Sequence, residues 1–118
     1  MGLPWFLSFG SVDEMSARDL REKLQSDGKG WQLIDVRSRG EYAGGHIAKA
    51  RNVPIDTFAK RLPDLKLDPN RPVVAICLSA HRSPPAVRLL KQAGFGEVYQ
   101  LAGGMMAWWR EKLPVVKD

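Results

Sequence analysis

The sequence predicts an α/β protein in which helices flank a parallel sheet. Apolar, β-rich segments alternate along the chain with segments whose apolar residues recur at helical spacing. The segment "VVAI", Val73 to Ile76, is apolar throughout, as expected of a central strand covered on both faces. After it, Ala86, Leu89, Leu90 and Ala93 follow the i, i+3, i+4, i+7 pattern of a buried helix face. Strand, helix, strand, helix in this order predicts a parallel sheet with its helices outside.

Length and composition indicate one globular domain. The chain has 118 residues, of which 44% are hydrophobic and 26% charged. We expect an apolar extension over residues 1–10 and a domain over residues 11–118. The extension is too short to span a bilayer and lacks the positive flank of a secretory signal. We expect Trp5, Phe6 and Phe9 to pack on the domain; docking on a membrane or partner, or an edge left by cutting a longer parent, are the alternatives.

The elements before the central strand follow from capping and turn signals. Ser16 followed by Asp19 resembles a capping box and predicts a helix from about Ala17 to Ser26. The turn signal "DGKG" then leads into "WQLIDV", which is short and β-rich enough to be a strand. The other predictions here are a strand near Arg51 to Val53, one short helical turn in "SRGEYAGG", and a helix over Asp56 to Leu62.

The second half of the chain is predicted to hold two more helices and one more strand. Ser83 is expected to cap a helix whose first turn contains two prolines and which ends at Gly94. "EVYQL" is a further strand, and "GGMMAWWREKL" is a last helix. Gly103 and Gly104 suit a tight turn into it. The residues expected to pack one face of that helix rather than bind a ligand are Met105, Met106, Trp108 and Trp109.

Charge and cysteine content limit the partners and the compartment. The net charge is +5, but no run exceeds two basic residues and no aromatic–basic interleaving occurs, so we expect no nucleic-acid partner. The basic excess lies in residues 70–118, which would attract a small anion. One cysteine cannot form a disulfide within the chain, so a free thiol and a cytoplasmic setting are expected, with no membrane partner.

The position of the cysteine in the predicted fold is one where a catalytic residue is expected. Cys77 follows the predicted central strand, and ligands of open α/β sheets bind at the carboxyl ends of the strands. If the loop from Leu78 to Arg82 curls around the sulfur, its N–H groups and the next helix favour thiolate over thiol. Arg82 supplies a planar fork of donors suited to an oxyanion. This combination favours a nucleophile that attacks an anionic substrate over the alternative, a small buried hydrophobic Cys77.

The sequence gives little support for a metal or cofactor site. One cysteine and two histidines cannot supply a typical structural zinc site, so neither a metal nor a cofactor is expected.

Four segments together resemble the single-domain rhodaneses, which are sulfurtransferases. They are "LIDVRSRGEYAGGHI", "ARNVP", "CLSAHRS" and "LAGGMMAW", and the resemblance runs from about Ser11 to Pro114. It implies a three-layer α/β/α fold with a five-stranded parallel sheet. It also implies that Cys77 takes a sulfane sulfur from thiosulfate or a persulfide donor. The resulting Cys77 persulfide would pass that sulfur to cyanide, a thiol or a protein acceptor.

The resemblance also suggests roles for the residues around the cysteine. The substrate-binding residues would be Leu78, Ser79, Ala80, His81, Arg82 and Ser83. Many loops of the family carry glycine at the position of Ala80, where a left-handed alanine costs about 1 kcal/mol. His81 either steers an anionic donor or is an exposed loop residue, and Ser83 is expected to be a helix cap rather than a proton donor.

The remaining motif residues are expected to be mainly structural. Asp35 would accept hydrogen bonds that hold the loop, and Arg37 would pair with Glu41. His46 would be a hydrogen-bonded scaffold residue rather than a general base.

Two other functions stay open. Cysteine-dependent phosphatases of similar architecture have five residues between cysteine and arginine, whereas this loop has four. The tighter pocket favours a sulfur atom over a tetrahedral phosphate or arsenate. A non-catalytic binding module with the same fold is the second alternative, and the presence of both Cys77 and Arg82 argues against it.

Overall fold

A five-stranded parallel sheet organises the part of the chain that the computed structural model describes, residues 12–26 and 28–117. The strand order is β1-β5-β4-β2-β3, so β4 is central, as predicted. Asp35 of β2 pairs with Ile76 of β4, which brings the carboxyl ends of these two strands to the same edge. The strands are β1 Glu14–Met15, β2 Gln32–Asp35, β3 Arg51–Asn52, β4 Val73–Ile76 and β5 Val98–Leu101.

The helices lie close to their predicted positions. The long helices that follow β1 and β4 are amphipathic, and the short helix after β2 has a capping box formed by Ser38 and Glu41. A 3₁₀ turn, Leu62–Leu65, follows the third helix. The helices are α1 Ala17–Ser26, α2 Arg39–Ala43, α3 Ile55–Arg61, α4 Ser83–Gln92 and α5 Gly104–Arg110.

Two buried clusters cover the two faces of the sheet. In β4, Val73 and Ala75 belong to the cluster that contains Phe58 of α3. The intervening residues Val74 and Ile76 belong to the cluster that contains Trp108 of α5. Because side chains alternate across a strand, a strand covered on both faces must be apolar at every position. The three-layer α/β/α arrangement is therefore confirmed.

Two local predictions need correction. Ser83 is the first residue of α4 and does not cap it; Arg82 holds the N-cap position and makes no side-chain cap bond. The Ser83 hydroxyl is turned instead toward the buried residues behind the helix. In α5, Met105 and Trp108 are buried as expected, but Met106 and Trp109 are exposed and do not pack against the core.

Some predictions fall on parts of the chain that the structure does not describe. The expected packing of Trp5, Phe6 and Phe9 lies outside the described residues, as does Asp27 of the "DGKG" turn. No helix in the described ranges has the length and apolar character needed to cross a bilayer.

Candidate functional site

Cys77 directly follows β4, at the carboxyl edge of the sheet. It is a free thiol, and only 1% of the residue is exposed. It belongs to the buried cluster shared with α3 and α4. Its Sγ lies 3.5 Å from the Ser83 Oγ, at the start of α4.

A buried chain of polar groups leads away from the sulfur. The Ser83 hydroxyl donates to Gln100 Oε1 at 2.6 Å, and Gln100 Nε2 donates to Glu14 Oε2 at 2.7 Å. Because an ionised carboxylate only accepts hydrogen bonds, Glu14 fixes which end of the Gln100 amide faces Ser83. The Ser83 hydroxyl therefore links the Cys77 sulfur, 3.5 Å away, to Gln100.

Sequence reasoning missed Gln100. It lies on β5, inside the segment "EVYQL", and its side chain is buried. A polar residue within a strand expected to be buried was the available signal, because buried amides need hydrogen-bond partners.

The loop from Leu78 to Arg82 contains the left-handed residue that the family likeness suggests. Ala80 has a φ of +69°, a conformation that costs an L-residue about 1–2 kcal/mol. The loop therefore keeps the bend that glycine would allow, and the strain is tolerated. Ala80 is half-buried against the cluster around Cys77. His81 is exposed and its Nδ1 lies 2.9 Å from the Ser79 Oγ.

The first turn of α5 is packed against the start of this loop. The N–H of Met105 donates to the Cys77 carbonyl at 2.8 Å, and the N–H of Met106 donates to the Leu78 carbonyl at 3.0 Å. In a planar trans peptide the N–H points opposite to the C=O. The N–H groups of Leu78 and Ser79 therefore point away from α5.

Gly104 makes this close contact possible. Its φ is +59°, and a Cβ at this position would overlap the carbonyl groups of Cys77 and Leu78. The tight turn predicted at Gly103 and Gly104 is present, and the second glycine also lets the backbone of α5 approach the loop.

Arg82 forms a two-bond ion pair with Glu41. Arg82 Nη1 donates to Glu41 Oε1 at 2.7 Å and Nη2 donates to Oε2 at 2.9 Å. This pairing, with smaller contributions from Ser38, lowers the pKa of Glu41 to about 2. The pKa of Arg82 is raised, mainly by its hydrogen bonds to Glu41. The guanidinium at the end of the cysteine loop is therefore held by a carboxylate.

The predicted Arg37–Glu41 ion pair is wrong. Arg37 folds back onto the carboxylate two residues earlier, with Nη2 2.8 Å from Asp35 Oδ2 and Nε 3.0 Å from Oδ1. Both side chains are buried, and Arg37 Nη2 also donates to the Gly45 carbonyl at 2.8 Å. Asp35 thus holds the turn after β2, rather than the cysteine loop as expected. Glu41 is left to face Arg82.

His46 is a hydrogen-bonded scaffold residue, as predicted. Its ring is buried and stacked on Tyr42, with ring centres 3.6 Å apart. Its Nδ1 lies 2.8 Å from the Tyr42 carbonyl oxygen, and its backbone pairs with Val116 near the end of the chain.

A cleft of about 840 Å³ opens beside the loop. Arg82 lies in its wall, so the cleft and the cysteine loop share this residue. The other lining residues are Val36, Ser38, Arg39, Gly40, Pro54, Ile55, Asp56, Thr57 and Arg61.

A parallel α/β/α domain with a cysteine after its central strand and an arginine at the end of the next loop is the arrangement expected of a rhodanese. Residues 16–111 match the sequence profile of the rhodanese-like domain. The chain belongs to the rhodanese-like domain family.

Similar proteins agree with this assignment. The chain is 36% identical over 105 residues to a sulfurtransferase of Allochromatium vinosum, covering 89% of this chain and 95% of that protein. It is 40% identical over 77 residues to the protein YqhL of Bacillus subtilis, covering 65% of this chain but only 60% of that one. A rhodanese-related protein of Thermoplasma volcanium superposes with a TM-score of 0.80 at 29% identity, covering 91% of this chain and all of that one. Together these similarities support sulfur transfer in general.

Proposed function

We propose that the protein is a sulfurtransferase that carries a sulfane sulfur on Cys77. The observation that carries the proposal is the position of this free thiol, at the carboxyl end of the central strand and at the base of a loop that ends in Arg82. Thiosulfate or an organic persulfide is the donor, and cyanide, a thiol or a protein thiol is the acceptor.

The reaction consists of two displacements at sulfur. The Cys77 thiolate attacks the outer sulfur of thiosulfate; a Cys–S–S⁻ persulfide forms as the S–S bond of the donor breaks, and sulfite leaves with two negative charges. With an organic persulfide R–S–SH, the products are Cys–S–SH and the thiolate R–S⁻. Cyanide or an acceptor thiolate then attacks the outer sulfur of Cys77, which releases thiocyanate or a new persulfide and restores the Cys77 thiolate.

The surroundings of Cys77 suit a negatively charged sulfur chain. The N–H groups of Leu78 and Ser79 point away from α5, which holds both carbonyl groups, and in this proposal they serve the sulfur. Hydrogen-bond donors that are already in position stabilise developing negative charge without any rearrangement of the protein. Arg82 adds positive charge at the end of the loop, and the residues Ser79, Ala80, His81 and Ser83 complete the proposed substrate-binding set.

One observation favours the alternative of a non-catalytic binding module. Cys77 is 1% exposed and Arg82 is already paired with Glu41, so neither group is freely presented to solvent. A domain that only binds a partner protein would not need Cys77 or Arg82 to be accessible to a substrate.

Mass spectrometry of the intact protein separates these functions. Cys77 is the only cysteine, so a reversible gain of one sulfur atom after exposure to thiosulfate or glutathione persulfide reports on this residue. We expect this gain in the wild type and not in Cys77→Ser, together with thiocyanate formation from cyanide at only the background rate in the variant. If no donor adds sulfur to the wild type, the proposal is wrong. Hydrolysis of an aryl phosphate that depends on Cys77 would support a phosphatase instead.

A further inference from the structure

A row of hydrogen-bonded side chains joins the cysteine sulfur to the edge strand β1. Glu14 of β1 is the register partner of Gln100 of β5. Gln100 also pairs with Ala75 of β4, two residues before Cys77. Because register partners and alternate residues of a strand face the same side of a sheet, all four side chains lie on the face that α4 covers. Gln100 is only 6% exposed, so its amide finds its hydrogen bonds inside the protein.

The Gln100 amide can serve its two neighbours in only one orientation. Glu14 Oε2 lies 2.7 Å from Gln100 Nε2, and an ionised carboxylate accepts hydrogen bonds but cannot donate them. The amide nitrogen therefore faces Glu14, and the amide oxygen faces Ser83 Oγ at 2.6 Å. Because an amide oxygen only accepts, the bond between Ser83 and Gln100 uses the hydroxyl proton of Ser83.

This orientation bears on the contact between Ser83 and the sulfur. A serine hydroxyl has one proton, and the distance of 3.5 Å between Ser83 Oγ and Cys77 Sγ permits a hydrogen bond in either direction. While Gln100 takes the proton, the hydroxyl can only accept from the sulfur. An acceptor stabilises a thiol, which has a proton to donate, but not a thiolate, which has none.

We infer that Glu14 and Gln100 are positioning residues that keep the Ser83 hydroxyl as an acceptor toward Cys77 and so hold the resting sulfur as a thiol. The inference rests on the proposed function, in which the thiolate attacks the donor, and it adds the groups that limit how much thiolate is present. Both residues act through the Ser83 hydroxyl rather than by a hydrogen bond to the sulfur. If the Gln100 amide turned over, its N–H would face Ser83 and the hydroxyl proton would be free to stabilise a thiolate.

The thiolate can be measured without any sulfur transfer. Cys77 is the only cysteine, so the ultraviolet absorbance of the thiolate, taken as the difference from Cys77→Ser, titrates this residue alone. Glu14→Gln keeps the size of an exposed side chain but allows it to donate as well as accept, so the Gln100 amide can turn over. We expect the thiolate absorbance of Glu14→Gln to reach half its maximum at a pH lower by about 0.5–1 than in the wild type.

The matched control is Asp13→Asn, which removes one negative charge from the residue next to Glu14. Asp13 is exposed and pairs with Lys91 at 3.3 Å, outside the row from Glu14 to the sulfur. Both substitutions leave unchanged two ion pairs at the carboxyl edge of the sheet, which are Arg82 with Glu41 and Arg37 with Asp35. We expect no shift in Asp13→Asn. An equal shift in both variants would mean that the lost charge, not the orientation of the amide, moves the titration, and would overturn the inference.

A second comparison tests whether the effect passes through Ser83. Ser83→Ala removes the hydroxyl, so adding Glu14→Gln to this variant should not move the titration further. Urea unfolding checks that each variant is folded. If Glu14→Gln shifts the titration as much without the hydroxyl as with it, Glu14 does not act through Ser83 and the inference is wrong.

Sulfur uptake from glutathione persulfide keeps this inference separate from the proposed function. If neither the wild type nor Glu14→Gln takes up sulfur, but the variant still titrates at a lower pH, the proposed function is wrong and the role of Glu14 at the thiol stands. If the wild type takes up sulfur and Glu14→Gln titrates like it, only the inference about the row fails.

Discussion

The ion pair between Glu41 and Arg82 determines how much of the positive charge of Arg82 is available at the cysteine loop. Their two hydrogen bonds join the helix after β2 to the residue that ends the loop, 41 positions later in the chain. About a third of each side chain is exposed, 36% for Arg82 and 32% for Glu41. Solvent screens such a pair, so its net contribution to the free energy of unfolding is about 1 kcal/mol or less.

The pair should make the stability depend on pH at the acidic end. The pKa of Glu41 is lowered from 4.5 to about 2 in the folded protein. A carboxyl group whose pKa is lowered by folding stabilises the protein fully above its unfolded value and loses this contribution as the pH falls toward its folded value. We expect Glu41→Gln to be less stable than the wild type at about pH 6, with a difference that shrinks by about pH 3.

Urea unfolding at several pH values measures this difference. Glu22→Gln is the control, because Glu22 is exposed on α1 and forms no ion pair among the described residues. A difference between Glu41→Gln and the wild type that is constant from about pH 6 to about pH 3 would contradict the prediction.

These residues also show why side-chain pairing was harder to predict than position. Arg37 and Glu41 are four residues apart, a spacing at which ion pairs on helices form, yet helix α2 begins only at Arg39. Arg37 therefore precedes the helix and folds onto Asp35, and Glu41 faces a loop that is distant in sequence. The resemblance to the family located the motif that contains Glu41 and the motif that contains Arg82. Only the fold shows that the second motif lies against the first.

At the scale of elements, α5 is part of the site although it carries no reacting group. Its first N–H groups hold the carbonyl groups of Cys77 and Leu78. Strand and helix positions followed from local patterns, because apolar periodicity and capping depend on neighbours in sequence. The contact between α5 and the loop depends on residues far apart in the chain, so the sequence predicted the turn at Gly104 but not its second role.

The two glycines before and at the start of α5 allow a matched comparison. Gly103 and Gly104 both have positive φ, 70° and 59°, so the backbone conformation alone makes alanine at either position cost about 1–2 kcal/mol of stability, before any steric overlap. A Cβ on Gly103 would meet the Cβ of Ala107, within the same helix, at 2.8 Å. A Cβ on Gly104 would instead meet the backbone of the cysteine loop.

We therefore expect Gly104→Ala to lower the rate of persulfide formation much more than Gly103→Ala does. The loss should be about tenfold or more, because a displaced loop would no longer hold the N–H groups of Leu78 and Ser79 in the position we propose for them beside the sulfur. Stopped reactions followed by mass spectrometry measure the rate, and urea unfolding checks that both variants are folded. Equal rates in two variants of equal stability would show that α5 does not position the loop.

At the scale of the whole molecule, the parallel sheet gathers the site and a buried ion pair at one edge. Cys77 follows β4, and Asp35 ends the neighbouring strand β2. The fold covers both faces of the sheet, which is why the carboxylate of Asp35 and the guanidinium of Arg37 are almost completely excluded from solvent. A buried charge without its partner is strongly destabilising, so this pair should affect global stability rather than sulfur chemistry.

Removing only one charge of this pair should cost more than neutralising both. Arg37→Met leaves the Asp35 carboxylate buried and unpaired and should lower the free energy of unfolding by about 3–5 kcal/mol. In the wild type, the backbone N–H of Arg37 donates to Asp35 Oδ1 at 3.0 Å. In the double variant Asp35→Asn/Arg37→Met, the side-chain amide oxygen at position 35 can still accept this backbone hydrogen bond. The double variant should therefore be about 2 kcal/mol more stable than Arg37→Met.

Urea unfolding followed by tryptophan fluorescence measures the three proteins, and intact mass after thiosulfate treatment measures their persulfide yield. Even if Arg37→Met does not fold, recovery in the double variant reports on the unpaired carboxylate. A double variant that is folded but takes up no sulfur would mean that this pair also serves the reaction. A double variant no more stable than Arg37→Met would mean that the bond from Arg37 to the Gly45 carbonyl, lost in both, matters more than the charge on Asp35.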